Sequence, residues 1–459
     1  MVYLSRPKSF TVLLIFVCIL VACLPTPAPT TVPSSTASNT PHPPTAPITP
    51  SLTLTATKQP TANNMLGLIL SGVNATQAIT LTTTIEPLLK EVPPPGWIAI
   101  AGWCDGGNGI DIIHTSGKGL RRLTQAYYPQ FISWSPDGEW IAYTDYPDMQ
   151  NHSGSELYLT RPDGSEVIQL TSTSGIKGGI SWSPDGQSII YSQASEYTLS
   201  TEPEQARSDI FTVNIFTKVI EQITNSPEVY ELAPSWSPHG DVIAFASIDK
   251  DGPADLYQLM VMDSSGSHVR HLADIHNNLS ISIGWSPDGN HIVFSSGDEC
   301  ENLFAINQDG TGLHRLTDNR GDDYSATWSS DGKWIAFIET SPCNLGSVVG
   351  SQLHLIQTDN SKSSKLNIKP GMNPVYAAWS SIPGLQVGST FTVTKLGNNV
   401  NLRSSPSLTS DMLMKLNEGE KILVLDGYVE ADEFLWWKVR VIGSEQEGWV
   451  AENPGWFEP

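Results

Sequence analysis

Cysteine, histidine and acidic side chains are the residues from which this 459-residue chain could build chemistry. Cys23 follows Leu20-Val21-Ala22, with Arg6 and Lys8 ahead of a short apolar run from Thr11 to Leu20. A small residue before a cysteine, behind a basic start and a brief apolar stretch, is what a signal peptidase accommodates before the thiol is acylated. Residues 1–23 are therefore expected to be a lipoprotein signal peptide with lipidation at Cys23, the run being too short for a spanning helix. Cys18 would leave with that peptide, which leaves Cys104, Cys300 and Cys343. Cys300 and Cys343 each stand eight residues after the first residue of an apolar triplet (Ile292, Ile335), and Cys104 stands six after Ile98. In an oxidising exterior one disulfide is expected, with Cys300–Cys343 ahead of Cys104–Cys343. Three thiolates could hold a metal, but no His lies at ligand spacing, so neither a metal nor another cofactor is expected.

The remaining candidates for catalysis do not converge. His114, His268, His271, His276 and His314 fall at unrelated positions, and no Gly-x-Ser-x-Gly nucleophile elbow occurs anywhere. Asp249-Lys250-Asp251-Gly252 with Asp255 hints at a calcium loop. It lacks the alternating third ligand and the distal Glu, so a solvated turn is expected instead. Formal net charge is -22, and residues 1–62 contain three basic residues and no acid. The rest of the chain thus sets 22 basic against 47 acidic residues, a balance that repels a phosphate backbone and excludes nucleic acid as a partner.

What must position any site is read from organisation along the chain. Residues 24–62 hold ten Pro, eleven Thr and four Ser, a composition that cannot bury a core and predicts an extended, disordered linker. Residues 63–94 form a lead-in. From 95 to 384 one unit recurs: Ser133-Trp134-Ser135-Pro136-Asp137-Gly138, then Trp182-Ser183-Pro184-Asp185-Gly186, Trp236-Ser237-Pro238-His239-Gly240, Trp285-Ser286-Pro287-Asp288-Gly289, Trp328-Ser329-Ser330-Asp331-Gly332 and a truncated Trp379-Ser380. The spacings between these Trp, 48, 54, 49, 43 and 51 residues, are blade lengths. Pro sets φ for the turn, Asp bonds its backbone and Gly supplies the positive φ where the hairpin closes. An apolar second strand, a third strand and a fourth ending in Leu-Thr or similar (Leu170-Thr171, Ile223-Thr224, Leu316-Thr317) complete four strands per unit. The stretch from Trp97 to Thr124 lacks a first strand, and Tyr376 to Ser380 supplies only a first strand. Joined, they make a composite sixth blade and close the ring without exposed edges.

This repeat resembles the WD40-like repeat of TolB-type six-bladed propellers. The resemblance implies an all-β fold and protein binding at one propeller face in the cell envelope. No counterpart of TolB's additional N-terminal domain is present in residues 63–94. Related propellers act as sugar lyases through His residues around the central pore, which makes a propeller-based glycan hydrolase or lyase the competing class. Residues 385–459 change pattern: Val400-Asn401-Leu402-Arg403-Ser404-Ser405-Pro406, Trp436-Trp437-Lys438-Val439-Arg440 and Gly448-Trp449-Val450 lie between Gly-bearing turns. Five or six short strands in a small SH3-like β-barrel are expected. The segment resembles bacterial SH3 (SH3b) domains, a resemblance that implies contact with peptidoglycan or with envelope peptides.

The expected function is that of a non-enzymatic, lipid-anchored, extracytoplasmic interaction protein. Its partner site is expected at the inter-blade loops of one face, at Tyr128, Tyr230, Asp323 and Tyr324, where aromatic anchors and acids coincide. Tyr428 and Trp436 are the candidates for a groove in the second domain. Repetition of the blade Trp says packing rather than sugar stacking, and Trp449 with one of Trp436 and Trp437 is expected in the barrel core, since strand neighbours face opposite sides.

Overall fold

Each repeat folds as its turn chemistry dictates. In a computed structural model, Ser135, Ser183, Ser286 and Ser329 donate to Asp137, Asp185, Asp288 and Asp331 at 2.5–2.6 Å. The following Gly138, Gly186, Gly289 and Gly332 sit at φ of 68–72°. Where His239 replaces the aspartate, Ser237 bonds Asp241 instead at 2.9 Å and the turn survives. The Leu-Thr ending is also explained. Thr171, Thr224 and Thr317 accept through Oγ1 from the backbone N–H of Leu157, Ile210 and Leu303, which fixes the fourth strand against the start of the third.

The structure describes residues 93, 95–104, 107–146, 154–194, 208–253, 256–276, 281–297, 300–318, 320–340, 350–359, 363–366, 368 and 372–459. Those residues are all-β, without a helix. Four-stranded groups recur along the chain in a propeller-like arrangement, and the third and fourth are joined by one parallel pair, Ser208 with Tyr230. In the composite group the order is Asn373–Trp379, Trp97–Cys104, Gly107–His114, Arg121–Gln125, so the last strand of the ring pairs antiparallel with the first. The lipobox, the linker and the lead-in lie outside the described residues.

The apolar second strands are buried on both faces and form the packing between blades, as with Ile141, Ile189, Ile243, Ile292 and Ile335, all fully buried. The innermost strands carry bulges at Phe131, Gly179, Ala233 and Ser325, each at φ of 35–53°. The bend turns these strands around the ring axis. Gly179 is required there, because a Cβ would run into the Ala233 backbone of the next blade. Trp134, Trp182, Trp285 and Trp328 donate Nε1–H to backbone carbonyls of the preceding inner strand (Ala378, Ser133, Ser235, Gly284) at 3.0–3.2 Å. These four repeat Trp are thus blade-to-blade staples.

The C-terminal barrel has seven strands rather than the five or six expected, in the order Met412–Leu416, Val400–Arg403, Glu447–Glu452, Phe434–Val441, Lys421–Ala431, Thr390–Val393, Phe457–Glu458. The extra count comes from short end strands that a periodicity of two does not register. Its core gathers Leu385, Phe391, Leu402, Leu416, Ile422, Trp437, Val439 and Val450. Trp449 is only half-buried while both Trp436 and Trp437 are buried. Trp437 takes the core place expected of one of the pair, whereas the expectation of a core Trp449 is corrected; Trp436 is covered on the side of the strand away from the barrel core. The barrel and the propeller belong to one compact unit.

Candidate binding channel and its surroundings

The inner strands of the described blades enclose a central cavity of about 450 Å³. One end is lined by the turn prolines Pro136, Pro184, Pro238 and Pro287 with Ser330 and Ser381, the other by Phe131, Gly179, Ala233, Ile281, Ser325 and Tyr376. Between them stand the edges of the repeat Trp and a succession of Ser hydroxyls. Several of these hydroxyls hold the ring together, accepting from Trp236 (Ser181), Ala326 (Ser282) and Ala377 (Ser325). Tyr376 is the single tyrosine among the lining residues, and its ring packs on Phe131 at 4.8 Å. Among the described residues, no carboxylate or imidazole lines the channel to move a proton. The surface offers stacking edges, prolines and neutral hydrogen-bonding groups.

The inter-blade acids do something other than face a partner. Asp145 accepts the N–H groups of Tyr127, Tyr128 and Tyr146 at 2.9, 2.5 and 2.9 Å, so its carboxylate closes the loop that enters the second blade. Burial pushes its carboxyl upward, and those three donors pull it back. Glu231 is likewise raised by burial while it accepts from Thr224 and Ser226. Asp209 receives Ser226 N and Asp322 receives Glu301 N, both at 3.0 Å. A polar residue in such a loop satisfies backbone donors that the turn would otherwise orphan.

This overturns three of the four expected anchors. Tyr128 is 6%, Asp323 0% and Tyr324 3% exposed, so none presents a surface to a partner. Tyr128 packs edge-on against Tyr146, Asp323 donates its N–H to the Glu301 carbonyl, and Tyr324 joins the core beneath the closing strand. Tyr230 remains half-buried at the rim, with Lys250 Nζ 5.8 Å from its ring centroid. Lys250 belongs to the suspected calcium loop, which is a tight turn closed by Gly252 N to Asp249 O at 3.1 Å. Cys300 is disulfide-bonded. The side chain of Cys343, the expected partner of either Cys300 or Cys104, lies outside the described residues, as does that of Cys104.

A second feature joins the barrel to the composite blade. Glu452 is fully enclosed, accepting Leu385 N at 2.9 Å and Trp437 Nε1 at 2.7 Å. Burial raises its carboxyl to about 7, against the pull of these donors, of Trp97 and of the Arg121 guanidinium. Arg121 donates to Asn453 Oδ1 and lies 5.3 Å from the ring centroids of both Trp97 and Phe434. Burial lowers it to about 10, still a cation at neutral pH. His114, 3% exposed, is held neutral because burial drops it to about 3. No sequence signal marked Arg121, His114 or Glu452, which stand outside the repeat motif.

Comparison with known proteins fits this architecture. Residues 398–453 match the family model described as bacterial SH3 domain. The crystal structure of TolB from Acinetobacter baumannii superposes with a TM-score of 0.51 over 66% of this chain and 71% of that chain, at 18% identity. The chain carries a TolB-like propeller and a bacterial SH3 domain. Among curated relatives, an uncharacterized protein of Agrobacterium fabrum is 27% identical over 195 residues, 41% of this chain and 62% of that protein. The uncharacterized peptidase YuxL of Bacillus subtilis is 30% identical over 141 residues, 23% of this chain and 21% of its own length. The chain therefore spans less than two thirds of both relatives.

Within the SH3 domain the two expected groove residues are not open. Trp436 is 1% exposed and donates Nε1–H to the Ala431 carbonyl at 2.9 Å. Tyr428 is half-buried between Trp437 and the propeller's His114, with ring centroids at 5.4 and 5.9 Å. Both side chains are taken up by contacts within the chain.

Proposed function

We propose that this protein is a non-enzymatic binding protein of the cell envelope whose TolB-like propeller takes an extended peptide segment of a protein partner into its central channel. The observation that carries the reading is the channel lining. Indole edges, prolines, Ser hydroxyls and Tyr376 suit a neutral extended chain, and among the described residues no carboxylate or imidazole stands with them as an acid or base. The SH3 domain supports an envelope setting, because bacterial domains of this kind resemble modules that contact cell-wall peptides. Selection from a random peptide library on the full chain tests the proposal. Enrichment of extended sequences that compete for one site is expected, and recovery of no binder at all would sink it.

Lipid attachment at Cys23, an extracytoplasmic location and the Cys300–Cys343 bridge belong to the same proposal. The disulfide at Cys300 supports an oxidising compartment. Mass spectrometry of protein from membranes, digested without reduction, reads all of this. An acylated Cys23 peptide and a linked Cys300–Cys343 pair are expected. An unmodified residue preceding Cys23 in the mature chain, or a Cys104-linked Cys300, would contradict it.

A further inference from the structure

We infer that the SH3 domain takes residues 114–121 of the propeller as its ligand in cis, clasping the ring at the blade that closes it. The segment is the turn between the third and fourth strands of the composite blade, and it meets the domain along its length. His114 stands edge-on to Tyr428, and Lys118 Nζ lies 2.8 Å from Glu430 Oε2. Gly117 and Gly119, at φ of 80 and 63°, bend the chain so that its backbone passes close to Trp97 and Leu435. A Cβ at Gly119 would sit 3.0 Å from the Trp97 ring and 3.5 Å from Leu435. Arg121 then reaches Asn453 and lies beside the Phe434 ring. Leu435 is fully buried among propeller side chains, including Trp97, Ile110 and Leu123. An aromatic, an acid, an apolar knob and an amide thus meet one basic, glycine-bearing segment, as a recognition surface meets a peptide.

The position of this contact gives it a role. The ring shuts through pairing of Asn373–Trp379 with Trp97–Cys104. The SH3 domain follows the closing strand directly, and Leu385 N is already bonded to Glu452. Its other hold is on the hairpin that continues from Trp97–Cys104. Peeling the closing strand away must therefore also break the clasp, and the covalent linkage gives the domain a high effective concentration on its site. An external ligand for this face would have to displace the propeller. The inference is independent of what enters the channel.

Hydrogen exchange read by mass spectrometry on the full chain tests it, comparing the wild type with Arg121→Ala and, from the opposite side, Phe434→Ala. Both variants are expected to exchange at least about tenfold faster in residues 114–121, 426–437 and the two closing strands, with the distant Val242–Asp249 unchanged. Unaltered exchange at 426–437 and the closing strands, or an equal rise in every blade, would overturn the clasp. Peptide binding by the channel can be measured on the same variants, so failure of one idea leaves the other separately readable.

Discussion

Glu156→Ala is expected to lower global stability by about 3 kcal/mol, the scale for stranding a buried charge. Lys177 is fully buried in the innermost strand of the third blade. Its ammonium donates to the carbonyls of Ser155 and Thr173 at 2.7 and 2.8 Å and faces Glu156 Oε2 at 3.2 Å. Burial lowers the lysine, and Glu156 is what draws it back toward the charged form. The same carboxylate receives Thr171 Oγ1 at 2.5 Å and Thr173 N at 3.0 Å, so its loss also orphans the loop that joins the two blades. Urea unfolding of the full chain measures the effect. Replacing both partners, Glu156→Ala with Lys177→Met, is expected to recover much of the loss, because no uncompensated charge remains. A single-variant effect below about 1 kcal/mol would mean that the carbonyls alone hold the ammonium.

Glu452 gives the second large effect, and its sign follows from the raised carboxyl. Below the ordinary carboxylate range of about 4.5 the group is protonated whether the chain is folded or not, and its contribution to stability is complete. As pH climbs toward about 7, the unfolded chain ionises freely while the folded chain resists burying a carboxylate, so stability is lost across that window. The shift corresponds to about 3 kcal/mol. Trp97, Trp437, Leu385 and Arg121 are the groups that face this carboxylate. Glu452→Gln should therefore gain on the wild type by about that amount between roughly pH 5 and pH 8, measured as the difference in unfolding free energy. A difference that stays flat with pH would show that the carboxylate is solvated or fully compensated.

The architecture was legible because the repeat keeps phase. A first strand missing before Trp97 and a solitary one around Trp379 could only belong together, and they pair in register from Ile98 with Trp379 to Ile100 with Ala377. The turn Asp, the Gly after it and the terminal Thr were legible for the same reason, since each performs one bond in blade after blade. Tyr128, Asp323 and Tyr324 misled because residue type in a loop does not distinguish an acid that faces water from one that caps backbone N–H groups. Asp145 and Asp322 show that capping dominates here. The domain contact was hidden for another reason. Arg121 and Glu452 are polar side chains without periodicity, and only the folded chain brings the two close. Tyr428 and Trp436 misled in the same way, since Trp436 is buried with its Nε1–H on the Ala431 carbonyl and Tyr428 packs against the propeller's His114.

The central proposal is that the channel binds a peptide. Its direct test is the equilibrium affinity of a library-selected peptide for the full chain and for Ser330→Trp. Ser330 lines the channel at its proline-rich end and is half-buried, so the larger side chain narrows the passage while leaving the turn bond of Ser329 to Asp331 in place. Loss of affinity by at least about tenfold, with an unchanged unfolding midpoint, is the predicted result. Equal affinity for both proteins would place the peptide elsewhere and contradict the assignment of the channel as the binding site.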